Sequence, residues 1–101
     1  MQTFGDRIRE LREQNQLRQR EVAAQLEIDT PMLSKIERGE RKAKREQVSQ
    51  LAKILNGKEE DLFTLWLADK VFDVVKDEEL ALKAIQVAEE QVKYKSKSKK
   101  K

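Results

Sequence analysis

Two adjoining groups of side chains between Thr30 and Arg45 carry the chemistry that this sequence offers. Thr30, Pro31, Ser34 and Lys35 lie at helical spacing on one face, which would present two hydroxyls, an ammonium and an apolar ring together. Directly beyond them come Arg38, Arg41, Lys42, Lys44 and Arg45, five basic residues in eight positions, interrupted by the acid Glu40. Such a run is either a solvated surface or a surface for a polyanion. In the second case it displaces counterions and makes binding steeply salt-dependent. Further upstream, Arg18, Gln19 and Arg20 open another helical pattern, and the N–H groups at a helix start can approach an anion.

Other chemistry is poorly provided for. Cysteine and histidine are both absent, which removes the usual zinc sites, Ser-His-Asp triads and Cys-His pairs. The three glycines, Gly5, Gly39 and Gly57, are too scattered to cradle a phosphate. Asp69, Asp73, Asp77 and Glu78 stand at helical spacing. With no histidine or loop to complete a metal shell, they read as a solvated helix face. No enzyme, metal or cofactor is expected.

At 101 residues the chain is expected to be one domain with an appendage and a small core. No apolar run is long enough to span a membrane and no secretory signal opens the chain, so a cytoplasmic protein without membrane contact is expected. The net charge of +3 conceals strong segregation. Residues 1–57 carry 12 basic and 9 acidic side chains, residues 58–92 carry 4 and 10, and residues 93–101 carry six lysines and no acid. The basic tail, rather than the remainder, therefore sets the high pI.

The periodicity predicts a succession of helices to position these groups. The first runs from about residue 3 to 14, with Phe4, Ile8 and Leu11 at spacings of four and three. The second, 18–26, turns Leu17, Val22, Ala23 and Leu26 to one side; the third, 30–38, does the same with Leu33 and Ile36. Both are too short to persist alone in water and must pack across each other. Asp29 or Thr30 can cap the third helix, Pro31 suits its first turn, and Gly39 suits its end. A fourth helix over 45–55 stops at Asn56-Gly57.

From 59 to 76 the chain reads as a fifth helix with more apolar residues than one stripe can hold, and a sixth is expected over 78–92. Apolar surface left over would be buried either in an intramolecular helical hairpin or between two chains. The dimerisation reading assigns that interface to Leu65, Trp66, Val71, Phe72, Val75, Leu82 and Ile85. Residues 93–101 have nothing to bury and are expected to be disordered. Their lysines either add a non-specific electrostatic attraction, shield the acidic helices, or serve solubility.

The segment from Leu17 to Gly39 resembles the Cro/repressor-type helix-turn-helix family, also called the xenobiotic-response-element family. The resemblance rests on Gln19, Ala23, Leu26 and Ile28, and on the closing run Ser34-Lys35-Ile36-Glu37-Arg38-Gly39. It covers about two-thirds of the chain, roughly residues 4–67. One departure is Glu27, where the family often has glycine in the turn. A positive φ there would cost on the order of 1 kcal/mol. The family implies an all-α fold: a five-helix repressor-like helix-turn-helix bundle with, in this chain, a C-terminal helical extension for dimerisation. The expected domains are 1–67 for DNA binding, 68–92 for dimerisation and 93–101 for the tail.

The resemblance also implies roles. The third helix would lie in the major groove of double-stranded DNA and read bases through Thr30, Pro31, Ser34 and Lys35. Lys35 suits guanine O6 and N7 or else a phosphate, Thr30 is reader or cap, Pro31 touches a thymine methyl or only sets the helix start, and Met32 is partial core. Gln19, assisted by Arg18 and Arg20, would contact the backbone, or else be a surface glutamine. Arg38, Arg41, Lys42, Lys44 and Arg45 would contact phosphates. Glu37 is expected to pair with a nearby arginine and fix the loop. The function implied is a homodimeric transcriptional repressor at a short palindromic operator, such as a restriction-modification controller. The alternative is an antitoxin that binds a partner toxin and represses its own operon.

Overall fold

The computed structural model describes residues 2–99, and among these it shows six helices and no strand. They are α1 (Phe4–Gln14), α2 (Gln19–Leu26), α3 (Thr30–Glu37), α4 (Arg45–Ile54), α5 (Glu59–Val75) and α6 (Ala81–Lys99). The all-α expectation is met. The chain divides into two compact units, Met1–Lys70 and Val71–Lys101.

Local chemistry fixes where the helices of the first unit begin. Thr3 precedes α1 and its hydroxyl accepts from the Asp6 N–H at 3.1 Å, while the Asp6 carboxylate accepts from the Thr3 N–H at 3.2 Å. This reciprocal capping box satisfies two backbone donors that the helix leaves open. Asp29 caps α3, accepting from Met32 N–H at 2.8 Å, with Pro31 in the first turn. Thr30 is therefore the first residue of the helix and not its cap. The Arg18 and Lys44 N–H groups donate to Glu21 and Gln47, each at 2.8 Å, ahead of α2 and α4.

The ends follow a single pattern. Gln16, Glu27, Gly39 and Asn56 all have left-handed φ values, of 56°, 60°, 78° and 55°. After each, a backbone N–H reaches back five residues to close the helix: Leu17 to Arg12, Ile28 to Ala23, Glu40 to Lys35 and Gly57 to Ala52, at 2.9–3.0 Å. Glycine provides this conformation without a Cβ penalty, yet it occupies only one of the four positions. Glu27 thus has the positive φ that its place in the turn suggested.

The core of the first unit joins the stripes foreseen for the first three helices, Phe4, Ile8 and Leu11 of α1, Val22, Ala23 and Leu26 of α2, and Leu33 and Ile36 of α3, to Val48, Leu51 and Ala52 of α4. Ala43, Leu55, Leu62 and Trp66 complete it. Ile28 and Met32 are half-buried against it. Asn15 ties two helix ends together, its side-chain amide donating to the carbonyls of Leu11 and Leu55 at 2.7 and 2.8 Å. Gly5 makes the closest approach. A Cβ there would overlap the Glu37 carbonyl oxygen and stand 2.7 Å from that of Ile36, so α1 can lie on α3 only with glycine at this position.

Three expectations about the C-terminal region need correction. The sixth helix begins at Ala81, after a turn through Asp77, Glu78 and Glu79, and it does not stop at residue 92. Residues 93–99, expected to be disordered, continue it. Glu89 pairs with Lys93 one turn on at 3.6 Å, and lysines suit the negative end of a helix dipole. Residues 100 and 101 lie outside the described residues. Trp66, assigned above to a dimer interface, is 4% exposed and belongs to the core of its own chain, so it has no surface left for a partner.

Candidate nucleic-acid interface

The third helix turns Leu33 and Ile36 into the core, and this places the opposite face outward. Pro31 and Lys35 are exposed, whereas Thr30 and Ser34 are half-buried. Ser34 is not an isolated hydroxyl: its Oγ accepts a hydrogen bond from Arg38 Nη1. Arg38 also donates to both carboxylate oxygens of Glu40, at 2.8 and 3.2 Å. That hydrogen bonding holds the Glu40 carboxyl below its ordinary pKa and raises that of the Arg38 guanidinium. Arg38 thus braces the C-terminal end of the face as well as contributing charge.

The basic loop beyond it is anchored from below. Ala43 is buried, and its carbonyl accepts from the Trp66 indole N–H at 2.8 Å. Trp66 meets Phe63 edge-to-face at 5.8 Å, and the Arg45 guanidinium lies 5.1 Å and 5.5 Å from the centres of the two rings. Lys70 covers the Trp66 ring at 3.7 Å. These cation–π contacts commit Arg45 partly to packing. Arg41, Lys42 and Lys44 are exposed on the anchored loop.

Gln19 is tied into its own chain. Its amide nitrogen donates to Glu37 Oε1 at 3.0 Å, and the side chain is half-buried. Glu37 in turn accepts from Arg12, through Nε at 2.7 Å and Nη2 at 3.1 Å. The third Arg12 nitrogen, Nη1, donates to the Leu17 carbonyl at 3.0 Å. Pairing with Glu37 raises the Arg12 pKa further. Glu37 does pair with an arginine, but its partner is in α1 rather than in the loop.

The network locks α1, the start of α2 and the end of α3 together, and it fixes the Gln19 side chain on the wall of an open groove. Arg9, Arg12, Gln19, Ser34 and Arg38 line that groove together with acids. Arg18 and Arg20 are exposed on either side of Gln19.

Arg12 was missed in the sequence reading. The one available signal was Glu37 itself, an acid falling next to Ile36 and four residues after Leu33 on the inward side of its helix. Asp69 was misread as a solvated acid. It is half-buried, and its carboxylate accepts from the Phe4 N–H at 3.2 Å, capping α1 from α5. No spacing signals that contact, because the partner lies 65 residues away. Among the described residues, no three acidic side chains gather as a metal site, and no helix is long and apolar enough to cross a membrane.

In the second unit and its approach, the expected interface residues are unevenly exposed. Val71, Phe72 and Leu82 are about half exposed or more, and Ile85 is 38% exposed. Val75 and Leu65 are half-buried, Leu65 against the core.

A family model described as a helix-turn-helix domain matches residues 3–65. No curated protein and no solved structure matches the chain.

Proposed function

The chain belongs to the helix-turn-helix domain family, and from that premise we propose that it is a sequence-specific DNA-binding transcriptional regulator, a homodimeric repressor acting at a short, near-palindromic operator. The observation that carries this reading is the outward face of α3, with Lys35 and Pro31 exposed, bordered by the anchored loop bearing Arg41, Lys42 and Lys44. In this reading α3 enters the major groove and Thr30, Pro31, Ser34 and Lys35 read base edges. Arg18, Arg20 and the loop cations set the register on the phosphates. Gln19, held by Glu37, presents the start of α2 to one phosphate. Repression follows where the operator overlaps a promoter, as it would for a restriction-modification controller protein.

Selection from random duplex DNA by the purified full chain, at physiological salt, tests the proposal. Enrichment of an inverted repeat with half-site centres about 34 Å apart is expected for a dimeric reader. Failure of folded protein to enrich any motif would refute it.

A second reading, an antitoxin that binds a toxin and represses its own operon, is favoured by one observation. Val71, Phe72, Leu80, Leu82 and Val87 leave apolar surface uncovered in the second unit. Co-purification of the protein with the product of an adjacent gene would support that reading; a failure to associate would remove it.

A further inference from the structure

We propose that α6 pairs antiparallel with α6 of a second copy of this chain, about a two-fold axis passing between Gln86 and Val87. The proposal deepens the homodimer of the preceding section and rests on it.

The seam is visible along the helix. Ala81, Ile85, Ala88 and Val92 recur at spacings of four, three and four, which returns them to one side of the helix at every turn. Most of that side is uncovered: Val92 is 68% exposed, Ile85 and Ala88 are exposed with it, and Ala81 is half-buried. An axis between positions 86 and 87 sets Ala81 opposite Val92 and Ile85 opposite Ala88. Each layer then matches a small side chain with a β-branched one, which fills the space between close helices without overlap.

Charge selects both the occupant and the direction. Residues 77–90 hold five acids and one lysine, whereas residues 91–101 hold six lysines and no acid. A parallel pair would set lysines against lysines. In the antiparallel pair, the acidic turn Asp77-Glu78-Glu79 of each copy lies level with the Lys93, Lys95 and Lys97 region of the other. Both ends are satisfied at once, as an isologous two-fold interface requires. A partner of uniform charge would complement one end and oppose the other.

The chain has no cysteine, so introduced thiols report without background. Full-length Ala81→Cys and Val92→Cys proteins, alone and mixed, are equilibrated in a glutathione redox buffer. Disulfide-linked dimers are then mapped by mass spectrometry, with helix content checked by circular dichroism. The mixture is expected to yield a dimer joining position 81 to position 92. Neither variant alone should cross-link, because the two copies of residue 81 would stand about 16 Å apart along the axis, well beyond disulfide reach.

Cross-linking of either variant with itself would indicate a parallel pair and overturn the proposal, as would a folded mixture that fails to cross-link. Sedimentation of the unmodified chain separates the levels of failure. A dimer without the 81–92 link would place the interface elsewhere and overturn this pairing alone. A monomer would overturn the homodimer as well. None of these measurements involves DNA, so they stand apart from the outcome of operator selection.

Discussion

Arg12 and Glu37, 25 residues apart, form a two-point ion pair in which the carboxylate is 4% exposed and the guanidinium 13%. Gln19 joins the same carboxylate, so one acid links α1, α2 and α3. Burying two charges is costly unless the geometry satisfies both, and here every Arg12 nitrogen has an acceptor.

Removing one partner leaves the other charge buried and unpaired. Glu37→Leu or Arg12→Met alone is expected to cost about 3 kcal/mol, measured by urea denaturation. The Arg12→Met/Glu37→Leu double variant should lose less than the sum of the single losses. Additive losses would show that the pair carries no coupling.

Gly5 admits the backbone of α3. Gly5→Ala pushes a methyl group into the Glu37 carbonyl, and strain of about 1–3 kcal/mol or more is expected. Thermal unfolding should show a lowered midpoint; an unchanged midpoint would mean that α1 and α3 separate without cost.

Glu27 adopts a φ of 60° at the turn between α2 and α3. Glu27→Gly is expected to raise stability by about 0.5–1 kcal/mol, since the relief of αL strain exceeds the added freedom of the unfolded chain. Gln16→Gly should act in the same direction. A lower urea midpoint for both would contradict this account of the helix ends.

Base-reading and phosphate-contacting residues should separate in binding data. Lys35→Ala is expected to narrow the gap between operator and random duplex. Arg41→Ala should weaken both duplexes alike and reduce the salt slope by about one. Equal loss of discrimination from both variants would count against the assigned roles.

The Arg38–Glu40 pair has a pH signature. Because the Glu40 carboxyl is held below its ordinary range, chiefly by hydrogen bonds from Arg38, its contribution to the folded state is complete above the usual glutamate pKa. It fades as pH falls through the lowered value. Side-chain NMR titration should show the Glu40 midpoint below that of an unperturbed glutamate and returning toward it in Arg38→Ala. Glu10, held low chiefly by Arg7, offers an internal comparison.

What the sequence by itself determined was what short-range physics determines. Helix positions follow from a 3.6-residue stripe, and starts and stops follow from caps within three or four residues, so Asp29, Pro31, Gly39 and Asn56 could be read directly. The outward face of α3 follows from Leu33 and Ile36 pointing inward, and the basic loop is contiguous in the chain. Only the tertiary structure decided which polar groups pair across distance. That Arg12 holds Glu37, that Asp69 caps α1, and that Trp66 anchors Ala43 rather than a partner depend on separations of 23 to 65 residues. No local period encodes such contacts, because they arise from how packed helices bring side chains together once the core has formed. Gly5 belongs with them: its smallness matters only because another backbone passes beside it.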